Sequence, residues 1–337
     1  MKLRLLAGAA MALLAATPAS AFAPATDCEQ GGIGRDSVCT LGAIRLHYVD
    51  HGGEGPVVIL IAGLGSSARI FDDFGPLLRR GHRVLAFTRR GYGLSGDAPD
   101  GDYSNAALVG DILGLMDRLG VDRASFVGHS LAGGELATLG ADHPDRVDRL
   151  VYIDAAYDRA AVPALMAAMP PMNPPSPEVR ASLAAFTAWR EQALGVDLAS
   201  VAADVAATMR QTPAGLVPRT RESVAQAILA GDIAAPEPWA AIAAPSLAFY
   251  SSKDVAEQLP PGTTDAQRTA FIDYSVRVLR PWMLREQAEF LARRRCGRAV
   301  EVPHSTHHLF LERPDWLAER ILAFLASPSP CGVTFAD

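Results

Sequence analysis

Residues 125–136 read SFVGHSLAGGEL, with Ser130 near their centre. A short apolar run, Ala124-Ser125-Phe126-Val127, leads into Gly128, and helix-favouring residues follow from Leu131 to about His143. A strand, a sharp turn and a helix in that order form the setting of a nucleophile elbow, in which a serine is raised out of a sheet at the start of a helix. So tight a turn needs small residues two before and two after the serine. These are Gly128 and Ala132, with Gly133 next. Ala132 departs from the usual G-x-S-x-G, although a methyl group still fits. The motif alone is common, and its weight comes from the rest of the chain.

Outward from this stretch, the pattern is one of alternating strands and helices. Residues 44–50 (IRLHYVD) and 56–62 (PVVILIA) read as strands joined by the glycine-rich residues 51–55, and so as a hairpin. Residues 83–88 (RVLAFT) form another strand-like run. Residues 105–119 place Leu108, Ile112, Leu115 and Leu119 on one helical face. Strands are expected at 124–127, 149–154 (RLVYID), 244–251 (APSLAFYS) and 298–302, with helical stretches over 264–295 and 315–325. This alternation predicts an α/β protein with a mostly parallel, doubly wound sheet covered on both faces. Residues 155–239 differ in texture. They are rich in Ala, Met and Pro, with helical stretches at 177–194 and 217–230 and no evident strand. They read as a helical cap, inserted at 155–240 between core segments 22–154 and 241–337, that excludes water and shapes a substrate pocket.

The first 21 residues have the form of an export signal. Lys2 and Arg4 precede the apolar stretch 5–16, and Ala19-Ser20-Ala21 fits a cleavage site. The apolar stretch is too short to span a bilayer, so release to the periplasm or the extracellular medium is expected, without stable membrane insertion. In that oxidising setting the four cysteines, Cys28, Cys39, Cys296 and Cys331, are expected to pair. Of the three possible pairings, Cys28–Cys39 with Cys296–Cys331 is preferred, because it staples the two chain ends. No C-x-x-C or Cys/His spacing suggests a metal, and no cofactor is implied. The chain has a net charge of −6 and no basic stripe, which argues against a nucleic-acid partner.

Four separated pieces together resemble the α/β-hydrolase superfamily: Ala62-Gly63-Leu64-Gly65 after a strand, residues 89–95 (RRGYGLS), the turn at Ser130, and His307 followed by Leu311-Glu312-Arg313-Pro314. The wording GHSLAGGEL with RLVYIDAAYD resembles a bacterial subgroup of serine hydrolases, and the resemblance runs from about Ile44 to Leu325. It implies Ser130 as nucleophile. A serine there, in place of a carboxylate, disfavours dehalogenase and epoxide-opening chemistry. It implies His307 as base, five residues before Glu312, with His308 packing behind it. His308 and His304 are the other candidates in that loop, and His129 is taken as structural. The acid is expected at Asp254, after the strand ending at Tyr250, with Asp154 at the end of RLVYID as the alternative. The backbone N–H groups of Leu64 and Leu131 would form the oxyanion hole. Arg89 and Arg90 are read as ties between loops. The function expected is cleavage of a carboxylic ester of an apolar small molecule. The alternatives are an amidase or aminopeptidase using cap carboxylates, a lactone or carbon–carbon hydrolase, and a non-catalytic binding protein on the same scaffold.

Overall fold

The computed structural model describes residues 27–235, 237–252 and 259–332. The export segment therefore lies outside the described residues, as does Asp254. Nine strands form one sheet in the order β1-β2-β3-β5-β4-β6-β7-β10-β11. They are β1 (Cys28–Glu29), β2 (Asp36–Leu41), β3 (Ile44–Gly52), β4 (Val57–Ile61), β5 (Arg83–Phe87), β6 (Ala124–His129), β7 (Val147–Ile153), β10 (Ser246–Ser251) and β11 (Gly297–Val302). The pairs from β5 through β11 are parallel, while β1, β2 and β3 add antiparallel strands at one edge. β4 and β6 are buried at every position, as strands with helices on both faces must be.

The hairpin expected between residues 44–50 and 56–62 does not form. β3 pairs with β2 on one side and β5 on the other, and β5 lies between β3 and β4. β4 reads VVILI and buries both faces, which demands a central place with parallel neighbours. Adjacency in sequence does not decide the partner. The true hairpin is β2–β3, turning at Gly42, whose φ of 60° suits a residue without Cβ.

Helices α1 (Asn105–Arg118) and α2 (Ala132–Asp142) pack on one face, where a core including Ile112, Phe126, Leu136, Tyr152 and Trp239 forms. The opposite face is covered by α9 (Leu309–Glu312) and α10 (Pro314–Ala326), with Phe71, Phe74, Phe249, Phe310 and Phe324 at its centre. Between β7 and β10 the chain forms α3 (Val162–Ala168), α4 (Leu183–Leu194), α5 (Ala199–Thr208), α6 (Glu222–Ala234) and a two-stranded hairpin, β8 (Met209–Thr212) with β9 (Gly215–Pro218). That hairpin departs from the all-helical expectation for this stretch. Its turn is set by Gly215, at φ 110°. After β10 come α7 (Asp265–Tyr274), a π-helical turn (Ser275–Leu279) and α8 (Arg280–Arg293).

Both preferred disulfides are present. Cys28 and Cys39 are direct partners across β1–β2, and Cys296 at the foot of β11 is tied to Cys331 beyond α10. No described helix is long and apolar enough to cross a membrane.

Candidate active site

β6 ends at His129 and leads into Ser130, whose φ of 55° is unusual for a residue with a side chain. Strain of this kind persists only where the surroundings fix it. Gly128 permits the turn, since a Cβ there would lie 2.9 Å from the Cβ of Ala132. Ala132 is fully buried, so its methyl group is accommodated. The tighter approach is at Gly133, where a Cβ would fall 1.9 Å from the carbonyl oxygen of Ala155 and 2.6 Å from Nη2 of Arg159. At Gly134 it would meet Oδ1 of Asp232 at 2.0 Å. The two glycines thus let residues 155–159 and helix α6 seat directly on the start of α2.

The Ser130 hydroxyl lies 2.8 Å from Nε2 of His307, and Nδ1 of His307 lies 2.5 Å from Oδ2 of Asp154. Of the three loop histidines, His307 is therefore the one placed on the serine. His308 packs near it, ring centroids 5.3 Å apart, and His304 shapes the loop through a left-handed φ of 50°. Glu312 accepts from the N–H and the hydroxyl of Thr306 at 2.8 and 3.0 Å, which ties the histidine loop to α9. His129 donates from Nε2 to the carbonyl of His307 at 2.9 Å and so holds the loop from below, in keeping with its expected structural place.

The carboxylate on His307 belongs to Asp154, where Asp254 had been the preferred acid. The cause is register. His129 is opposite Ile153 in the parallel β6–β7 pair, so Ser130 and Asp154 emerge side by side from adjacent strands. Ser130 N–H donates to the Ile153 carbonyl, and Asp154 N–H to that of Phe249. Asp154, at φ 47°, makes a second left-handed turn beside the first. Its side chain is fully buried. Oδ2 accepts from the Ser251 hydroxyl at 2.9 Å as well as from His307. Oδ1 accepts from the Ser251 N–H at 3.2 Å and from the Tyr157 hydroxyl. A buried carboxylate needs such partners, and this one has them on both oxygens. Burial, and then the Asp154 charge, push the Tyr157 hydroxyl well above the usual phenol range, so Tyr157 stays a donor.

Tyr157 and Ser251 went unrecognised as functional candidates in the sequence. The only available signal was their nearness to RLVYID and SLAFYS, which does not say where their hydroxyls point. Arg159 was missed likewise. Its Nη2 donates to the carbonyl of Ser130 at 2.6 Å and of Ala155 at 3.0 Å, and its Nε lies 3.1 Å from Oδ2 of Asp232 on α6.

Leu131 follows Ser130 at the head of α2, and Leu64 follows Gly63 in the loop after β4. Gly63 lies against the serine, for a Cβ there would come 3.0 Å from that of Ser130. Arg89 braces this loop. It donates to the carbonyls of Ala62 and Gly63 while its guanidinium forms a buried two-pronged pair with Glu135 on α2. Arg90 pairs with Asp111 on α1 at 2.6 and 2.7 Å. Both arginines are loop ties, as expected. From the other side, Asp204 on α5 accepts from the N–H and the hydroxyl of Ser67 at 2.7 and 2.8 Å.

A cavity of about 240 Å³ opens over Ser130 and His307. Apart from Asp154, Tyr157, Arg159 and the Tyr274 ring, its walls are apolar: Val162, Leu165, Met166 and Met169 come from the segment after β7, and Phe271, Leu279 and Trp282 from the segment after β10. Both segments therefore cover the site.

A model of the α/β-hydrolase fold matches residues 56–314. The chain belongs to the α/β-hydrolase fold family. Within the family it is 40% identical over 112 residues to a protein of Variovorax paradoxus named for carbamate hydrolysis (RutD), an alignment covering 33% of this chain and 42% of that protein. It is 31% identical over 144 residues to the mouse sn-1-specific diacylglycerol lipase ABHD11, covering 42% and 46%. The matched region thus spans less than half the length of these relatives. Among solved α/β hydrolases, E-2-(acetamidomethylene)succinate hydrolase superposes with a TM-score of 0.66 at 22% identity, over 87% of this chain and 99% of that one. The enol-lactonase of Burkholderia xenovorans superposes with 0.55 at 23%, over 86% and 100%. At these identities the likeness is one of fold.

Proposed function

We propose that this α/β hydrolase is an exported serine hydrolase that cleaves a carboxylic ester, or a related acyl bond, of an apolar small molecule. The observation that carries the reading is the continuous hydrogen-bonded chain Ser130–His307–Asp154 at the mouth of a mainly apolar cavity. A serine hydroxyl is a weak nucleophile until a base can take its proton. Nε2 of His307 accepts that proton as Ser130 Oγ bonds to the substrate carbonyl carbon. Asp154 holds the imidazole with its proton on Nδ1 and stabilises the imidazolium that forms. The carbonyl oxygen becomes an oxyanion facing the N–H groups of Leu64 and Leu131, each donor contributing roughly 3 kcal/mol in such sites. The carbonyl–oxygen bond to the alcohol then breaks, and the alcohol leaves with the proton from Nε2. A water attacks the acyl-enzyme, gives its proton to Nε2 and releases the acid, restoring the Ser130 hydroxyl.

The amidase reading needs a carboxylate to hold a substrate ammonium. The charged group that the cap adds to the described lining is the Arg159 guanidinium, which favours the ester. Export is supported by the two disulfides, which belong in an oxidising compartment. The test is a fluorophosphonate probe on the purified protein, with the adduct mapped by mass spectrometry. Stoichiometric labelling at Ser130 that disappears in His307→Ala is expected. A folded protein that stays unlabelled would overturn the reading in favour of a non-catalytic binder. Export is checked by the N-terminal sequence of protein recovered outside the cytoplasm, expected to begin at Phe22.

A further inference from the structure

The peptide group that joins Ser130 to Leu131 is engaged at its carbonyl end. That oxygen accepts from Nη2 of Arg159 at 2.6 Å and from the N–H of Gly133 at 3.1 Å. The other end is the Leu131 N–H, which among the described residues donates to no protein group. A peptide is planar and trans, so its N–H points opposite to its carbonyl, and fixing one end aims the other. The sequence keeps room for the contact, since a Cβ at Gly133 would lie 2.6 Å from the same Nη2. Arg159 is itself held on two further sides. Nη2 also donates to the Ala155 carbonyl at 3.0 Å, and Nε forms an ion pair at 3.1 Å with Oδ2 of the buried Asp232 on α6. The second donor is arranged in the same manner. Leu64 N–H belongs to the peptide whose carbonyl, that of Gly63, accepts from Nη1 of Arg89 at 3.3 Å, and Arg89 is fixed by the buried Glu135.

A charge-assisted hydrogen bond at the carbonyl end has two consequences for the N–H end. It holds the plane of the peptide, so the donor needs no reorientation when charge develops on the substrate oxygen. It also polarises the peptide, which makes the N–H a stronger donor. Asp232 balances the charge of Arg159, so the influence on Leu131 passes through this oriented contact rather than from a bare cation. Resting on the serine-hydrolase reading, we propose that Arg159 is a positioning residue of the oxyanion hole, fixing and polarising the Ser130–Leu131 peptide so that the Leu131 N–H meets the oxyanion. Arg159 and Asp232 both lie in the chain between β7 and β10. That segment therefore does more than wall the cavity over Ser130: its seating on α2 completes the hole.

The test uses an alkyl trifluoromethyl ketone with a carbon-13 label at its carbonyl. Ser130 Oγ adds to the carbonyl carbon, the serine proton passes to Nε2 of His307, and the oxygen of the resulting hemiketal occupies the place of the ester's oxyanion. Its ionisation is read from the carbon-13 shift as the pH is varied. Arg159→Gln should raise the pKa of this hemiketal by about one unit and lower kcat for a chromogenic ester by about tenfold, less than the outright loss of a donor, with KM little changed. Arg159→Gln alone leaves Asp232 buried without its ion pair, which is destabilising. Arg159→Gln/Asp232→Asn removes both charges and should show the same two changes in a protein whose circular dichroism matches the parent. A hemiketal pKa that does not move in the folded double variant overturns the proposal even if kcat falls, because a displaced serine or a loosened cap slows turnover without weakening the hole. A parent protein that forms no ionised hemiketal overturns it as well. If Ser130 of that parent still takes the phosphonate label, the serine-hydrolase reading stands; without the label, both fall.

Discussion

Replacing Asp154 by Asn tests the proposed chemistry at its most specific point. The surroundings dictate how an asparagine would sit. Oδ1 of Asp154 accepts from the Ser251 backbone N–H, which can only donate, so the amide oxygen must occupy that place. The amide NH2 then falls at the Oδ2 position, facing Nδ1 of His307 and the Ser251 hydroxyl. The hydroxyl can rotate to accept. The imidazole cannot adapt without changing tautomer, because its Nδ1 must now accept and its proton moves to Nε2. Nε2 then has no lone pair for the Ser130 proton. The fold is retained while kcat falls by about 10⁴, or roughly 5 kcal/mol, the loss seen where a triad acid is replaced in this way. The assay is turnover of a chromogenic short-chain ester, together with the rate of phosphonate labelling at Ser130 and a circular dichroism spectrum to confirm folding. Asp254→Asn is made in parallel. Turnover within about tenfold of the parent in Asp154→Asn, or a larger loss in Asp254→Asn, would refute the assignment of Asp154 and the tautomer argument behind it.

Tyr157→Phe keeps the ring stacked on Trp282, centroids 4.7 Å apart, but removes one donor from Asp154. The carboxylate then concentrates its charge on the imidazole and favours the imidazolium, so the acidic limb of the kcat/KM profile should move to higher pH, with a rate loss of about tenfold at neutral pH. An unmoved limb would show that the hydroxyl does not act through Asp154. Glu237 has a buried carboxyl oxygen without a hydrogen-bond partner among the described residues, and burial pushes its pKa up to about 8. The folded state thus holds a proton that the unfolded chain loses above its ordinary value of 4.5, and the stability this group contributes falls as pH rises from 4.5 through 8. Glu237→Gln should therefore raise the melting temperature at pH 8 by more than at pH 5, and an equal change at both would sink the argument. Burial also lowers the pKa of His51 to about 4, so the folded state disfavours a proton that the unfolded chain takes up below 6.5, and stability should decline between those values on acidification. His51→Gln should flatten that part of the curve in pH-dependent denaturant titrations. Opening Cys296–Cys331, which closes 35 residues of sequence, should cost roughly 4 kcal/mol in the chain-entropy picture, and Cys28–Cys39 less because it closes 11. Calorimetry of the two Cys→Ser pairs should show that order.

The sequence by itself determined the alternation of strands and helices, the elbow at Ser130 and the histidine loop. Each depends on local chemistry: an apolar run, small residues where a turn is tight, a glycine where φ is positive. The two disulfides were also legible, since each pairs cysteines that lie near one another at one end of the chain. Tertiary structure decided what depends on neighbours remote in sequence. The place of β5 between β3 and β4 follows from the two-sided burial of β4, and no hairpin signal overrides that. The place of Asp154 on His307 follows from the β6–β7 register, a property of two strands that neither strand states alone. Tyr157, Ser251 and Arg159 carry no motif. They matter because β7 and β10 are neighbours and because Gly133 and Gly134 let the chain after β7 lie on the elbow helix. A side chain's type is written in the sequence, but the direction of its hydrogen bond is fixed by packing, and at this site that direction separates the carboxylate that holds His307 from the other described carboxylates.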